Sequence, residues 1–203
     1  MLTDILKKAD LYADGLNKVA ERRAHWIVKH KELKAHLKEI ATYLNANSKY
    51  KQGFFVDTLQ AFNEEMNGVC KDMPSVTFRS GDMPMLVTFK NSVGERKEYI
   101  EEGFRITFNP TITGEIAIMF LPHRSNLDKA PPEYAAMAMV KDPAELTMEL
   151  ASDVIVKGIE AAYFSSFTGL ADLPADTEPD AVPVLRHHEP IGFKRYETTE
   201  KIR

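Results

Sequence analysis

The chain has 203 residues and a net charge of −4; 44% of its residues are apolar and 28% are charged, as in globular proteins that fold without disulfides or metals. Its single cysteine, Cys70, excludes an internal disulfide and favours a reducing compartment. The sequence contains neither the apolar core of a secretory signal nor a run near the roughly 20 apolar residues of a membrane span. We therefore expect a cytoplasmic protein with no membrane segment.

The charge is distributed unevenly along the chain. Residues 1–51 carry 11 Lys and Arg against 6 Asp and Glu, whereas the remaining residues carry 15 against 24. The basic stretch from Arg22 to Lys38 is compatible with a phosphate backbone. However, dedicated nucleic-acid-binding domains are usually basic as a whole, and this chain is acidic overall. We interpret the basic stretch as a solvated helix face and do not expect nucleic acid as a partner.

The strongest pattern in the sequence is an alternating four–three spacing of apolar residues from Ile5 to Leu44. It predicts one amphipathic helix of about 40 residues and about 60 Å, with Asp14-Gly15 as the expected place for a kink or a break, if the helix has one. The seam of this helix contains Ile5, Ala9, Tyr12, Leu16, Val19, Arg23, Trp26, His30, Leu33, Leu37, Ile40 and Leu44. A second row widens the seam on one side: Leu6, Ala13, Ala20, Ile27 and Ala41. The wide stripe favours packing against more than one element over a two-stranded coiled coil.

Two seam positions of this helix are polar, and they surround its only tryptophan. Polar residues at such positions often fix register or oligomeric state, and Trp and Arg often dominate binding energies. We therefore expect Arg23, Trp26, His30 and Leu33 to bind a partner. Trp26 is expected to lose contact with water when the protein assembles, and association is expected to weaken between about pH 7 and pH 5 if His30 is buried in the seam.

Two shorter helices are predicted after the first. Residues 53–67 repeat apolar side chains at helical spacing, at Phe55, Leu59, Phe62 and Met66. The last helix is expected to open with Asp142 as its cap, Pro143 at its first position and Glu145 completing a capping box, and to continue to about residue 167.

Between these helices the apolar period changes to two, which predicts strands near residues 76–79, 85–90, 104–109, 116–121 and 134–140. Short turns separate most of them, so we expect antiparallel neighbours. The strand at 116–121 is apolar on both faces and is predicted to be central. In the strand before it, Phe104, Ile106 and Phe108 are predicted to be buried, while Arg105, Thr107 and Asn109 face water or the rim.

The predicted fold class is α+β. It combines the long N-terminal helix, the short second helix, a four- to five-stranded mainly antiparallel sheet and a C-terminal helix packed on that sheet. We divide the chain into the long helix at 1–46, an α+β body at 47–168 and an irregular tail at 169–203, which is rich in proline and acidic residues.

The sequence predicts no cofactor or metal site, and it identifies no catalytic residue. His25, His30 and His36 are separated by five and six residues, whereas two ligands on one helix need a spacing of three or four. Neighbouring His187 and His188 could form a site with Glu189 or His123, but we interpret them as part of a solvated loop. The polar row on the last helix, Glu149, Asp153, Lys157 and Glu160, is typical of an exposed face. Cys70 has only Lys71 as a visible activating neighbour, which favours a small apolar filler.

Two functional hypotheses follow. The first is a non-enzymatic interaction protein, an adaptor or assembly subunit that uses the N-terminal helix to self-associate or to bind a helical partner. The second is a small-molecule carrier, or an enzyme, that uses an apolar cavity between the antiparallel sheet and its helices. The long stripe and the lack of a glycine-rich phosphate loop, a nucleophile elbow or paired Cys-x-x-Cys motifs favour the first.

Overall fold

The computed structural model describes residues 2–60, 73–90, 93–125 and 134–166. It confirms the α+β class. Helix α1 runs unbroken from Leu2 to Asn47 through Gly15, so the chain does not break at Asp14-Gly15. A single glycine costs a helix about 1 kcal/mol relative to alanine, too little to end a helix of this length. The helix ends where Asn45 turns its side-chain amide onto Phe54, accepting from its N–H at 2.7 Å and donating to its carbonyl at 2.9 Å.

Antiparallel strands follow α1 and form two sheets. The strands are β1 (Phe54–Gln60), β2 (Pro74–Ser80), β3 (Met83–Lys90), β4 (Arg96–Glu102), β5 (Arg105–Pro110), β6 (Ile116–Leu121), β7 (Arg124–Ser125) and β8 (Ala135–Val140). Five of them form one sheet in the order β1-β2-β5-β6-β8, and three form the other in the order β3-β4-β7. A short 3-10 turn (Pro143–Glu145) and helix α2 (Met148–Ser165) follow the last strand.

Helices α1 and α2 cover one face of the five-stranded sheet, and the core lies between this sheet and the two helices. The inward side chains of β2, β5 and β6 are fully buried, among them Phe78, Phe108 and Ile118. Helix α2 approaches the sheet so closely that a methyl group added at Gly158 would overlap Cδ1 of Ile106. A larger residue there would have to displace the buried Ile106 side chain, so helix and sheet are tightly packed at that crossing.

The register confirms most of the predicted strand faces. Phe104, Ile106 and Phe108 are buried and Arg105 is exposed. Thr107 was expected to face water or the rim, and this is wrong because it is 8% exposed. It lies on the middle strand of the five, with Thr77 on one neighbouring strand and Met119 on the other. The strand predicted to be central, β6, is internal, but β5 occupies the middle.

The helix predicted over residues 53–67 is wrong for its first part, because residues 54–60 form β1 and pair with β2 along their whole length. Phe55 and Leu59 lie on one face of this strand, and both are exposed. A spacing of four residues fits one helical turn and also two strand repeats, so it does not separate the two structures. The predicted helical residues Phe62 and Met66 lie outside the described residues, as do the predicted tail at 169–203 and Cys70.

The start of the last helix also differs from the prediction. Asp142 does act as a cap, accepting a hydrogen bond from the N–H of Ala144, but it caps only the 3-10 turn. Helix α2 begins at Met148, and its cap is Thr147, whose hydroxyl accepts from the N–H of Leu150 at 3.1 Å. The strand expected near residues 134–140 is confirmed as β8.

Candidate functional site

The first helix has two parts that differ in what surrounds them. Residues 19–47, which we call the docked half, lie against β1, β2, the 3-10 turn and α2. Trp26, Leu33, Leu37 and Ala41 from this half belong to the core. Trp26 is fixed further by its indole N–H, which donates to the carbonyl of Pro74 at 2.8 Å. The docked half is therefore an integral part of the body.

The four residues predicted to bind a partner all lie in the docked half. Trp26 and Leu33 have no exposed surface, so the expectation that Trp26 loses water contact on assembly is wrong: the chain itself already excludes water from it. Arg23 is half-buried and donates to the carbonyl of Ile112 at 2.7 Å. His30 is also half-buried, with Nδ1 2.9 Å from the carbonyl of Trp26. Partner binding by Arg23 and His30 stays a prediction.

The boundary of the docked half is set by the turn between β5 and β6. Gly114 in this turn has a φ of 78°, a left-handed conformation that favours glycine. A Cβ atom at Gly114 would lie 2.7 Å from Cβ of Arg22 and 3.3 Å from the carbonyl oxygen of Val19. Glu115 of the same turn forms an ion pair with Arg22 at 3.8 Å. At Gly15, which precedes Val19 by four residues, an added Cβ atom would meet no atom within 4 Å, so the turn does not reach this part of the helix.

Residues 2–18, which we call the arm, extend beyond this turn. Every residue of the arm is exposed. The apolar seam nevertheless continues through it, together with the row that widens it. We call these seven residues the stripe: Leu2, Ile5, Leu6, Ala9, Tyr12, Ala13 and Leu16. Their five large members are between 53% and 79% exposed, so no part of the described chain covers the stripe.

The arm and the docked half also differ in charge. The arm carries three lysines and three aspartates, and Asp4–Lys8 and Asp14–Lys18 are spaced for favourable pairs along a helix. Its net charge is therefore zero, and the basic excess of the first 51 residues lies after it. Part of that excess is used within the chain, since Arg22 pairs with Glu115 and Lys29 with Glu32 at 2.9 Å.

A second group of chemically active side chains lies where the two sheets meet. Glu101 is 2% exposed, and its carboxylate lies 3.6 Å from Nδ1 of His123. The His123 nitrogen also lies 3.3 Å from the carbonyl of Glu102. The His123 and Phe104 rings are arranged edge to face, with their centroids 5.6 Å apart. Burial lowers the pKa of His123, although the Glu101 carboxylate acts to raise it. The pair is an imidazole beside a buried carboxylate, a combination suited to proton transfer.

Tyr50 lies beside this pair. Its hydroxyl donates to the carbonyl of Gly81 at 2.8 Å. Burial raises the pKa of the Tyr50 phenol, and the negative charges of Glu101 and Asp82 add to the rise. Within the described ranges, no three His, Cys, Asp or Glu side chains converge to hold a metal ion. Glu101 comes near His123 because β4 pairs with β7. Sequence reasoning missed this group because no local spacing of residues reveals that pairing.

The histidines of α1 are used separately, in contacts with other elements. His25 lies 2.9 Å from the carboxylate of Asp142, and His36 lies 2.8 Å from the hydroxyl of Ser152 on α2. The Asp142 pKa is lowered, first by the hydrogen bond from the N–H of Ala144 and further by His25. These contacts fix α1 against the start of α2 and the turn before it.

Searches against protein-family models, curated proteins and solved structures find no match to this chain. None of the helices in the described part of the chain is both long and apolar enough to cross a bilayer. A proposal for function therefore depends on the geometry of the arm and of the Glu101–His123 pair.

Proposed function

We propose that this protein is a non-enzymatic interaction protein, an adaptor or assembly subunit, and that its arm binds an amphipathic helix. The observation that carries the proposal is the exposed stripe of the arm. The same seam that is buried against the body in the docked half continues along the arm over about 25 Å, at 1.5 Å per residue. An exposed, continuous apolar surface on an otherwise folded protein usually marks a binding site.

The chemistry of the stripe favours a helix as the partner. Its seven residues occupy three of every seven positions, which is the width of a helix face in a bundle. The small side chains Ala9 and Ala13 at its centre allow another helix to approach closely. An isolated helix as short as the arm is only marginally stable in water, so a partner that covers the stripe would also stabilise the helical form.

Charge argues against two other kinds of partner. Amphipathic helices that lie on anionic membranes carry an excess of lysine and arginine on the polar face, whereas the arm has no net charge. Nucleic-acid binding needs free basic groups. In the docked half, Arg22 and Lys29 already pair with acidic side chains of the chain itself. The single cysteine is consistent with assembly in the cytoplasm, which we include in the proposal.

The alternative function, a carrier or enzyme with an apolar cavity between sheet and helices, has weaker support. At the crossing of α2 with β5, Gly158 packs directly against Ile106, which leaves no space between helix and sheet at that point. The Glu101–His123 pair is the observation that favours an enzyme. It lies outside that interface, where the two sheets meet.

The proposal is tested by removing the arm and by probing it in the monomer. Deletion of residues 2–18 should leave the body folded, with its melting temperature unchanged, because every arm residue is exposed and no described part of the body covers the stripe. In a dilute, monomeric sample of the full chain, a cysteine at Leu16 should react with maleimide as fast as one at Leu11, which lies on the opposite side of the helix. The Cys70→Ser background keeps all other thiols out of the assay.

Two results would contradict the proposal. Unfolding of the body after deletion would make the arm a structural part of it. Selective protection of the cysteine at position 16 in a monomer would mean that the chain covers its own stripe and has no need of a partner there.

A further inference from the structure

We infer that the helix bound by the arm is the arm of a second copy of this chain, aligned antiparallel. The inference rests on the proposed function and names its partner. In this arrangement Leu2 lies opposite Val19 of the other copy, Ile5 opposite Leu16, and Ala9 opposite Tyr12. Each pairing occurs twice because the arrangement is symmetric. Together these pairs cover the whole exposed length of the seam.

The sizes of the facing side chains support this register. When two helices pair in opposite directions, the first seam position of one heptad faces the second seam position of the other chain. The smallest seam residue of the arm, Ala9, then faces the largest, Tyr12. In the widening row, Leu6 lies beside Ala13. Large and small residues facing one another fill the space between helices without voids.

The body limits how far a partner helix can extend along the arm. The turn at Gly114 reaches α1 at Val19, so a partner must end near this residue. The inferred register places its Leu2 there. A shift of one heptad towards the body would place Leu2 against Trp26, which the body already buries. A shift in the other direction would pair Ile5 with Ala9 and move Leu16 out of the paired part of the stripe.

A parallel pairing of the two arms is less favourable. It would place Tyr12 against Tyr12 and Ala9 against Ala9, so that a bulky layer alternates with a thin one. It would also bring both bodies to the same end of a short helical pair, whereas the antiparallel pair separates them. Because three lysines and three aspartates balance within the arm, no net repulsion opposes the association of two copies.

The register is tested by disulfide cross-linking of the full chain in the Cys70→Ser background. One preparation carries Ile5→Cys and the other, of different mass, carries Leu16→Cys. The expected product under mild oxidation is the mixed disulfide. Each variant alone should give little product, because identical positions are then separated by about 16 Å along the helix axis, well beyond the reach of a disulfide. A Leu11→Cys variant, from the opposite side of the helix, is the control for random collision.

Association itself is measured by sedimentation over a range of concentration. Ile5→Asp should weaken dimerisation at least tenfold, because it places a charge in the pairing seam. Leu11→Asp introduces the same charge on an equally exposed leucine of the opposite side, and dimerisation should be unchanged. Circular dichroism of both variants verifies that the body remains folded.

The outcomes separate this inference from the proposed function. Self-linking of Ile5→Cys alone would indicate a parallel pair and overturn the antiparallel register. A chain that stays monomeric at high concentration, with freely reactive cysteines on the stripe, would overturn self-pairing but leave a different helical partner in place. Cysteines that are protected in the monomer would overturn both.

Discussion

The two parts of α1 have the same heptad pattern and opposite environments. The docked half contributes Trp26, Leu33 and Leu37 to the core, each with no exposed surface. In the arm, Leu2 and Tyr12 are at least 70% exposed. The repeat of apolar residues therefore indicates that a helix has a binding face, but it does not indicate what covers this face. In the docked half the cover is the chain's own body, whereas in the arm no described residue supplies a cover.

The largest expected effect separates the two parts by stability. Leu33→Ala should lower the free energy of unfolding by about 2–5 kcal/mol, because it opens a cavity in the core. Leu16→Ala makes the same chemical change in the arm, where exposed substitutions alter stability by only about 0.5 kcal/mol. Urea denaturation of dilute samples, followed by circular dichroism, measures both. Equal losses would show that the arm is packed in the monomer after all.

A smaller effect is expected from the close contact between α2 and the sheet. Gly158→Ala should cost about 1–3 kcal/mol, because its methyl group overlaps the buried Ile106 side chain. The double variant Gly158→Ala with Ile106→Val should recover part of this loss, since valine lacks the overlapping Cδ1 atom. Thermal unfolding of the two single variants and the double variant measures the coupling. Purely additive losses would contradict direct packing of Gly158 on Ile106.

The body should respond to acid while the arm does not. The folded pKa of His123 is lowered by burial from the ordinary value of 6.5, so the unfolded chain binds more protons than the folded chain between the two values. The stability contribution of neutral His123 is thus complete above about pH 6.5 and is lost as the pH falls towards the folded pKa. His123→Gln should flatten the decline in unfolding free energy between pH 7 and pH 5.

The arm contains no histidine, so arm pairing should keep its affinity over the same range wherever the body remains folded. A contribution of His30 to the interface predicts the opposite result, weaker association between about pH 7 and pH 5. A dimer that dissociates between pH 7 and pH 5, with the body still folded, would indicate that His30 lies in the interface.

For the body, an unchanged pH profile of unfolding free energy in His123→Gln would mean that His123 titrates alike in the folded and unfolded chain.

The sequence predicted the long helix, the antiparallel sheet and its inward residues, because each of these has a local period. It failed where one spacing fits two structures, as for Phe55 and Leu59 on β1. It also failed wherever the decisive contact joins distant segments. Burial of Trp26 depends on Pro74, and the end of the docked half depends on Gly114. No local pattern around Trp26 distinguishes a residue that is buried only by a partner from one that is buried by the chain's own body.

The smallest expected effect concerns Gly15, the one glycine within α1. Gly15→Ala should favour the helical arm by about 1 kcal/mol, and no neighbouring atom obstructs the added methyl group. Amide exchange in residues 2–14 should slow by up to about fivefold, which corresponds to this free energy at room temperature. The free energy of global unfolding should not change in the monomer, because the arm unwinds independently of the body. A rise in global stability equal to the full helix-propensity gain would mean that the arm and the docked half unfold together. In that case α1 would be one cooperative element, and the distinction between its two parts would apply to exposure but not to energy.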